Sequence, residues 1–352
     1  MDKAADVIFN METKLLSEVL KIVSAGINKK NIDIAEWKLT KLKEVGNITG
    51  VTEQIIKEDI NKAIEIAQKE IRKTGIDSAR KIDIDLKGHS SRLVDALPVT
   101  ADPRLIAVWE RFERPARDEL QRLGALLMSK VNESMIDIIE QSTAEVLAGQ
   151  PTLRDAMRSR SKKWGQQGFK PMIDKAGRQW TSEGYSQMVI RSQIRQVVTV
   201  TQTERLDELD WDLIEISSHA GARPLCADWQ RKILSLHGKT EGYTKLDDTS
   251  YGEPAGLFGI NCSHVMYPSI PGVKPTFSED PAKDRGLDND KIYKEQQKQR
   301  YLEREIRRAE RVLQIEKSIP ENQENVRKAR SRMEDFIKQT GRTRREDREE
   351  IY

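Results

Sequence analysis

The chain has 352 residues, of which 33% are charged and 37% hydrophobic, and 60 basic against 57 acidic residues give a formal net charge of +3. This near balance excludes the strongly basic composition of a dedicated nucleic-acid-binding protein. A chain of this length rarely folds around one core, so we expect two or three structural units. Two cysteines, Cys226 and Cys262, are too few for a disulfide scaffold and indicate free thiols in a reducing cytoplasm.

Hydropathy gives no sign of a membrane. No segment approaches the roughly 18 apolar residues of a spanning helix, and residues 1–8 lack the apolar run of a signal peptide. We therefore expect a protein that is soluble when it is made and that has no membrane partner.

Residues 1–75 are predicted to be helical, with Gly46 and Gly50 breaking the segment into two parts. Each part has an apolar stripe at helical spacing: Leu16, Val19, Leu20 and Val23 in the first, and Ile56, Ile60, Ala63, Ile64 and Ala67 in the second. Residues 76–104 are interpreted as a connector rich in turn signals. Within it, the alternation of residues 81–86 indicates a short strand.

The middle of the chain is predicted to return to helix. Apolar residues recur at helical spacing over 104–148, and a shorter helix is expected at 151–157, with proline at its start. A β-hairpin is indicated at 169–183, because residues 175–177 suit a tight turn with glycine in the left-handed position. Another helix is predicted at 185–209.

Residues 211–272 differ in composition from the predicted helices. They are rich in glycine, proline and aromatic residues and hold both cysteines and three of the four histidines. Short strands are expected at 213–216 and 232–236, separated by loops. Residues 285–340 are then predicted to form a helical hairpin, with Pro320 in the turn.

Closely spaced motifs mark the loop-rich segment. They are Ser218–Pro224, Asp228–Gln230, Tyr251–Gly252, Gly256–His264 and Tyr267–Gly272. Their order and spacing resemble the phage minor capsid protein family related to the Mu F head morphogenesis proteins. The tail at 336–341 and 345–349 is similar to that family's C-terminal end. The motif residues that we single out are Gly221, Arg223, Pro224, Trp229, Gln230, Gly252, Gly259, Asn261, Pro268 and Gly272.

The resemblance covers residues 104–350, and we see no family signal in residues 1–100. It implies a structural and non-enzymatic role: a low-copy protein of the virion, inside the capsid near the portal, which takes part in head assembly and in DNA packaging or delivery. The implied partners are the portal protein, the major capsid or scaffolding protein, and packaged DNA bound without sequence preference. Assembly takes place in the host cytoplasm.

From the residues themselves, the motif segment is expected to form a compact module of loops. Arg223 precedes a proline and is therefore expected to be extended, where it could pair with a carboxylate through two hydrogen bonds. The alternative is that the motif residues have a purely structural role and stabilise a small domain.

Four residues of this segment have the ligand types of a Cys2His2 zinc site: His219, Cys226, Cys262 and His264. Their spacing is not diagnostic, and the sequence-based expectation is that no cofactor is needed, with zinc as the alternative. Buried thiols with hydrogen-bonded histidines would explain the same residues. A Cys–His nucleophile or a histidine-based nuclease would need these side chains around an open pocket.

The C-terminal hairpin has an arginine-rich face. Residues 291–350 hold 18 Lys and Arg against 13 Asp and Glu. One helix face carries Arg304, Arg307, Arg308 and Arg311. These arginines are expected to be exposed and either to form ion pairs along the helix or to contact DNA or an acidic portal surface.

The predicted fold is mainly α, with long helices, a small loop-rich α+β module and a C-terminal helical hairpin. The predicted regions are 1–100, of open role, a helical segment at 101–164, the module at 165–275 and the charged hairpin and tail at 276–352. The predicted function is that of a phage minor capsid protein. The alternative is a nucleic-acid-processing or toxin-like enzyme delivered with the phage genome.

Overall fold

The computed structural model describes residues 3–25, 33–149, 152–169, 172–173, 177, 179–315 and 319–350. The chain divides into two compact units. The first unit comprises residues 1–65, 119–187 and 299–352, and the second comprises 66–118 and 188–298. Each unit combines segments that are distant in sequence, whereas the regions predicted from the sequence are contiguous.

The predicted fold class is confirmed, because most of the described chain is helical and the sheets are small. The helices are α1 (Lys3–Ser24), α2 (Ile34–Asp85), α3 (Pro103–Leu147), α4 (Leu153–Gln167), α5 (Ser182–Glu208), α6 (Pro224–Ala227), α7 (Asn289–Ile315) and α8 (Pro320–Thr340). The strands are β1 (Met172–Ile173), β2 (Gln179–Trp180), β3 (Leu213–Ile216), β4 (Ile233–Ser235) and β5 (Met266–Pro268). Strands β1 and β2 form an antiparallel pair, and β3 lies between β4 and β5 in an antiparallel sheet.

Helix α2 corrects two predictions. It runs unbroken through Gly46 and Gly50, and a side chain at Gly50 would meet nothing within 4 Å. The strand predicted at 81–86 is also wrong, since this segment is the last turn of α2 and the residue that follows it. Ile82 and Leu86 are four residues apart and both fully buried, whereas Ile84 is exposed, as expected for one helix face. The connector therefore starts after α2 rather than at residue 76.

The other predicted helices are confirmed with shifted ends. Helix α3 matches the prediction closely, and α4 extends ten residues beyond the predicted Met157, to Gln167. The Thr152 hydroxyl accepts a hydrogen bond from the Asp155 backbone N–H and so caps the start of α4. The hairpin strands β1 and β2 are present, and Gly177 has φ +78°, although residues 174–176 of the predicted turn lie outside the described residues.

The first unit contains a buried ion pair. On α1, Glu12 is fully buried, and its Oε2 lies 3.0 Å from Nη1 of Arg311 on α7. Its Oε1 accepts hydrogen bonds from the backbone N–H of Phe169 at 2.6 Å and the Ser182 hydroxyl at 3.3 Å. The Arg311 guanidinium also lies 3.9 Å from the ring centroid of Phe9. The pair thus connects α1, α7 and the segment after α4.

The predicted C-terminal hairpin is confirmed as α7 and α8, both in the first unit from Gln299 onward. Its apolar contact is formed by Leu302 and Ile306 on α7 and by Ala329 and Met333 on α8. Pro320 is the first residue of α8, where its missing N–H leaves no helical bond unmade.

One hydrophobic core of the second unit lies between the three-stranded sheet and the helices that cover it. The end of α2 and the end of α5 contribute apolar side chains, and β3 supplies the centre of the sheet. The buried members are Ile82, Leu86, Leu206, Leu209, Ile214, Ile216, Leu234, Leu236, Leu246, Leu257, Phe258 and Met266. This core supports the loops that carry the sequence motifs.

Candidate functional site

Arg223 ties two loops of the motif segment together. Its backbone is extended, as predicted, with φ −65° and ψ 150°, and Pro224 begins α6. The guanidinium donates to the carbonyl oxygens of Ile260 at 2.7 Å and Gly256 at 3.1 Å. The expected carboxylate partner is wrong: backbone carbonyls take the paired hydrogen bonds instead, so Arg223 holds the loop at 256–260 in place.

The motif glycines are required for two different reasons. Gly221, Gly252 and Gly272 have φ between +79° and +89°, a region that glycine enters at little cost. Gly259 has no such angle, but a Cβ there would lie 2.5 Å from the Glu253 carbonyl oxygen. Asn261 has φ +59°, and asparagine is one of the few other residues that tolerate this conformation.

Gly221 also brings the motif segment against the start of α7. Its backbone N–H donates to the Asn289 side-chain oxygen at 2.8 Å, and a Cβ would lie 2.4 Å from Nε2 of Gln296. Two further motif residues pack in the second unit: Trp229 is partly buried against its core, and Pro268 lies in β5 opposite Ile214.

Three of the four predicted metal ligands come together. The ligand atoms of Cys226, Cys262 and His264 all lie within 4.8 Å of one another, and the three residues are only 1–2% exposed. The two Sγ atoms are 3.9 Å apart, and Sγ of Cys262 is 3.3 Å from Nδ1 of His264. His219 lies beside the group, with its ring centroid 4.5 Å from that of His264.

Gln230 organises the two histidines. Its Oε1 accepts the backbone N–H of His219 at 2.7 Å and lies 3.2 Å from Nε2 of His264. Because an amide oxygen can only accept, Nε2 of His264 carries a proton, and Nδ1 faces Cys262. The sequence placed Gln230 in the family motif but did not indicate this role.

The charges of the cluster are strongly perturbed. The hydrogen bond from Cys226, and then the His264 ring, holds the pKa of Cys262 well below its ordinary value. The same thiol–thiol contact, together with burial, raises the pKa of Cys226. Burial and the neighbouring His264 lower the pKa of His219 and so favour its neutral ring. The arrangement favours one thiolate, at Cys262, and one protonated thiol, at Cys226.

Arg195 was missed by sequence reasoning. It extends from α5, and its Nη1 donates to the backbone carbonyl of His264 at 3.0 Å. The only signal in the sequence was a cation among the apolar residues of a predicted helix.

The arginine face of α7 is only partly exposed. Arg311 is buried on Glu12, and Arg307 pairs with Glu183 and donates to the Arg348 carbonyl oxygen, so the predicted exposure is wrong for these two. Arg304 is exposed, and Arg308 is partly exposed in an ion pair with Glu305. The carboxylates that bury Arg307 and Arg311 come from other helices, which helical periodicity cannot show.

A cleft in the first unit adds two cations that the sequence-based list lacked. It has a volume of about 410 Å³ and lies between the end of α4 and the C-terminal hairpin. The charged side chains in its lining are Arg308, Lys328 and Arg332, against Glu305. The spacing of Lys328 and Arg332, four residues apart on α8, was visible in the sequence as one helix face.

Comparison with known proteins shows the class of protein, a bacteriophage structural protein. The model of the family described as phage minor capsid protein 2 matches residues 1–338, and the chain belongs to this family. The resemblance inferred from the motifs is thereby confirmed. The expectation that residues 1–100 carry no family signal is wrong, since the match includes them.

Two relatives are structural proteins of Lactococcus phages. That of phage LL-H is 26% identical over 296 residues, which cover 78% of this chain and 76% of the relative. That of phage mv4 is 34% identical over 122 residues, which cover 31% of this chain and 92% of the relative. No solved structure matches the chain significantly. Among the described helices, none has the length and apolar character needed to cross a membrane.

Proposed function

We propose that this chain is a low-copy head protein that lies inside the capsid near the portal. There it binds the portal protein or the major capsid or scaffolding protein and contributes to DNA packaging or delivery. It joins the head during assembly in the host cytoplasm. Membership of the phage minor capsid protein 2 family over residues 1–338 is the observation that carries this proposal.

The burial of the thiols favours a binding role over catalysis. A Cys–His nucleophile must reach its substrate, yet Cys226, Cys262 and His264 are almost fully enclosed. They are also absent from the lining of the cleft beside the hairpin and from those of two clefts in the second unit. A toxin-like or nucleic-acid-processing enzyme built on these residues is therefore the weaker alternative.

The cleft beside the hairpin is the surface best suited to an anionic partner. Three cations against one carboxylate give it a local positive excess, and side-chain amides of Gln166, Gln167 and Asn325 offer further donors. Phosphates of packaged DNA or acidic side chains of the portal would fit this chemistry, and contacts to phosphate carry no sequence information.

We expect the triple variant Arg308→Gln, Lys328→Gln, Arg332→Gln to lose binding to duplex DNA of mixed sequence. Each phosphate contact contributes about 0.9 to the slope of log K against log salt, so the slope should fall by about 3 units. Fluorescence anisotropy of the full chain at a series of salt concentrations measures this slope. The same variant should also be tested for binding to the purified portal protein of the source phage.

The matched control replaces three exposed cations of α3: Arg114→Gln, Arg117→Gln and Arg122→Gln. It has the same change of net charge, so the control should keep the wild-type slope if the cleft is the contact surface. Equal losses of DNA binding in both variants would show that binding depends on net charge and not on the cleft. If the wild type fails to bind DNA even at low salt, the proposed DNA contact is wrong. The role of the cleft is then tested by portal binding alone.

A further inference from the structure

We propose that Cys226, Cys262 and His264, with His219 as the fourth ligand, bind one zinc ion that fixes the motif module. The ligands come from three places in the second unit: the segment after β3, the short helix α6, and the loop that leads into β5. A metal there would join these three segments to one another. The site is structural, because all four positions are taken by protein ligands.

The distances fit tetrahedral coordination. With Zn–S near 2.3 Å and Zn–N near 2.0–2.1 Å, a tetrahedron has S–S edges of about 3.8 Å and S–N edges of about 3.6 Å. The Sγ atoms of Cys226 and Cys262 are 3.9 Å apart, and Sγ of Cys262 lies 3.3 Å from Nδ1 of His264. These two edges are within a few tenths of an ångström of the ideal values, and the third, between Sγ of Cys226 and the His264 ring, lies within 4.8 Å, so an ion fits between the three atoms if that edge closes.

The hydrogen bonds around the cluster suit metal binding. Ligating histidines usually donate their second ring N–H to a neighbouring acceptor, which fixes the tautomer. Gln230 provides that acceptor for His264 and leaves Nδ1 free toward the thiols. Arg223 has Nη2 3.8 Å from Sγ of Cys226, as a donor to a thiolate ligand would be placed.

His219 is the natural fourth ligand. Its Nε2 is buried and has no hydrogen-bond partner among the described residues, an arrangement that is costly for a ring nitrogen. Its ring lies against that of His264, with centroids 4.5 Å apart and planes 32° apart. Two imidazoles on one tetrahedral ion have centroids about 5 Å apart, by the same bond lengths. His219 lies outside the group of ligand atoms within 4.8 Å of one another, so its ring would have to move toward the cluster to bring Nε2 to the metal.

The competing state is a disulfide between Cys226 and Cys262. Forming it would require the sulfur atoms to approach from 3.9 Å to about 2.05 Å. It would also leave His219 and His264 without a role. The two states are distinguished by mass, because a disulfide removes two hydrogens and a zinc site keeps both thiols.

The test is the metal content of the full chain purified in reducing buffer without chelators. We expect about one zinc per chain by elemental mass spectrometry, and release of that zinc when the thiols are modified. Replacement by Co²⁺ should give the absorption of a tetrahedral thiolate site, a readout that needs no variant. Zinc well under one per chain, together with no tetrahedral Co²⁺ spectrum, would overturn the proposal, as would an intact Cys226–Cys262 disulfide in the purified protein.

Variants then assign the ligands. Cys226→Ser, Cys262→Ser and His264→Ala should each lower zinc affinity by at least about 10- to 100-fold, and His219→Ala should do the same. The matched control is His89→Ala, an exposed histidine outside the cluster, which should retain the metal. Full zinc affinity in His219→Ala would replace His219 by a water as fourth ligand and contradict that assignment.

Discussion

Replacing Arg311 with methionine is expected to destabilise the first unit by about 3–5 kcal/mol, because it leaves the buried Glu12 without its counter-charge. Glu12 is fully buried, and its remaining described partners are the Phe169 N–H and the Ser182 hydroxyl. The change also removes the contact between the guanidinium and the Phe9 ring. Chemical denaturation of the full chain, followed by circular dichroism, measures the loss.

Two comparison variants make this result specific. Arg304→Met on the same helix is exposed and should change stability by less than about 0.5 kcal/mol. The double variant Glu12→Leu, Arg311→Met removes both charges and should be more stable than Arg311→Met alone. Equal losses in Arg304→Met and Arg311→Met would contradict the buried pair.

The effect of Arg311→Met should also depend on pH. Burial raises the pKa of Glu12, and Arg311 partly offsets that rise. Without Arg311 the folded-state pKa rises further, so the folded variant binds more protons than the unfolded chain. Its stability should therefore increase as the pH falls from neutral toward the ordinary Glu value of 4.5. A loss that is constant over this window would show that Glu12 is not the cause.

Gly259→Ala is expected to destabilise the second unit by about 3 kcal/mol, at the upper end of the range for overpacked sites. The new methyl group would lie 2.5 Å from the carbonyl oxygen of Glu253 and 2.6 Å from that of Pro254. Both obstacles are backbone atoms, which cannot move aside as a flexible side chain can. The loop would have to shift, and the hydrogen bond from Arg223 to Ile260 would weaken with it.

Gly272→Ala is the matched control, because Gly272 has open space around it and a φ of +82°. It should cost only about 1–2 kcal/mol, the strain of a left-handed alanine. The reaction of Cys226 and Cys262 with a thiol reagent further distinguishes Gly259→Ala from Gly272→Ala. Gly259→Ala should make both buried thiols reactive under native conditions and Gly272→Ala should not; similar thiol reactivity in the two variants would contradict the role assigned to Gly259.

The long helices could be predicted from the sequence because their apolar residues repeat at helical spacing, and the strands β3 and β4 because of their short apolar runs. The errors occurred where a local pattern was ambiguous. Residues 81–86 alternate like a strand, yet Ile82 and Leu86 also fit one helix face. Because both are buried in the core of the second unit, the segment is helical. Strand β5 was missed because it has three residues and ends in proline.

The candidate site was predictable in its residue types but not in its geometry. The histidines and cysteines stood out by composition, whereas the role of Gln230 depends on a fold that brings it to two histidines at once. The sequence also could not show which arginines of α7 are exposed and which are buried in ion pairs. Arg307 and Arg311 are paired with carboxylates on other helices, and only tertiary structure separates them from Arg304.

The presence of this chain in phage particles is the most direct test of a minor capsid role. Quantitative mass spectrometry of purified virions and of proheads from the source phage should detect it in both, at low copy number relative to the major capsid protein. Its absence from virions and proheads alike would contradict the proposed role in the head.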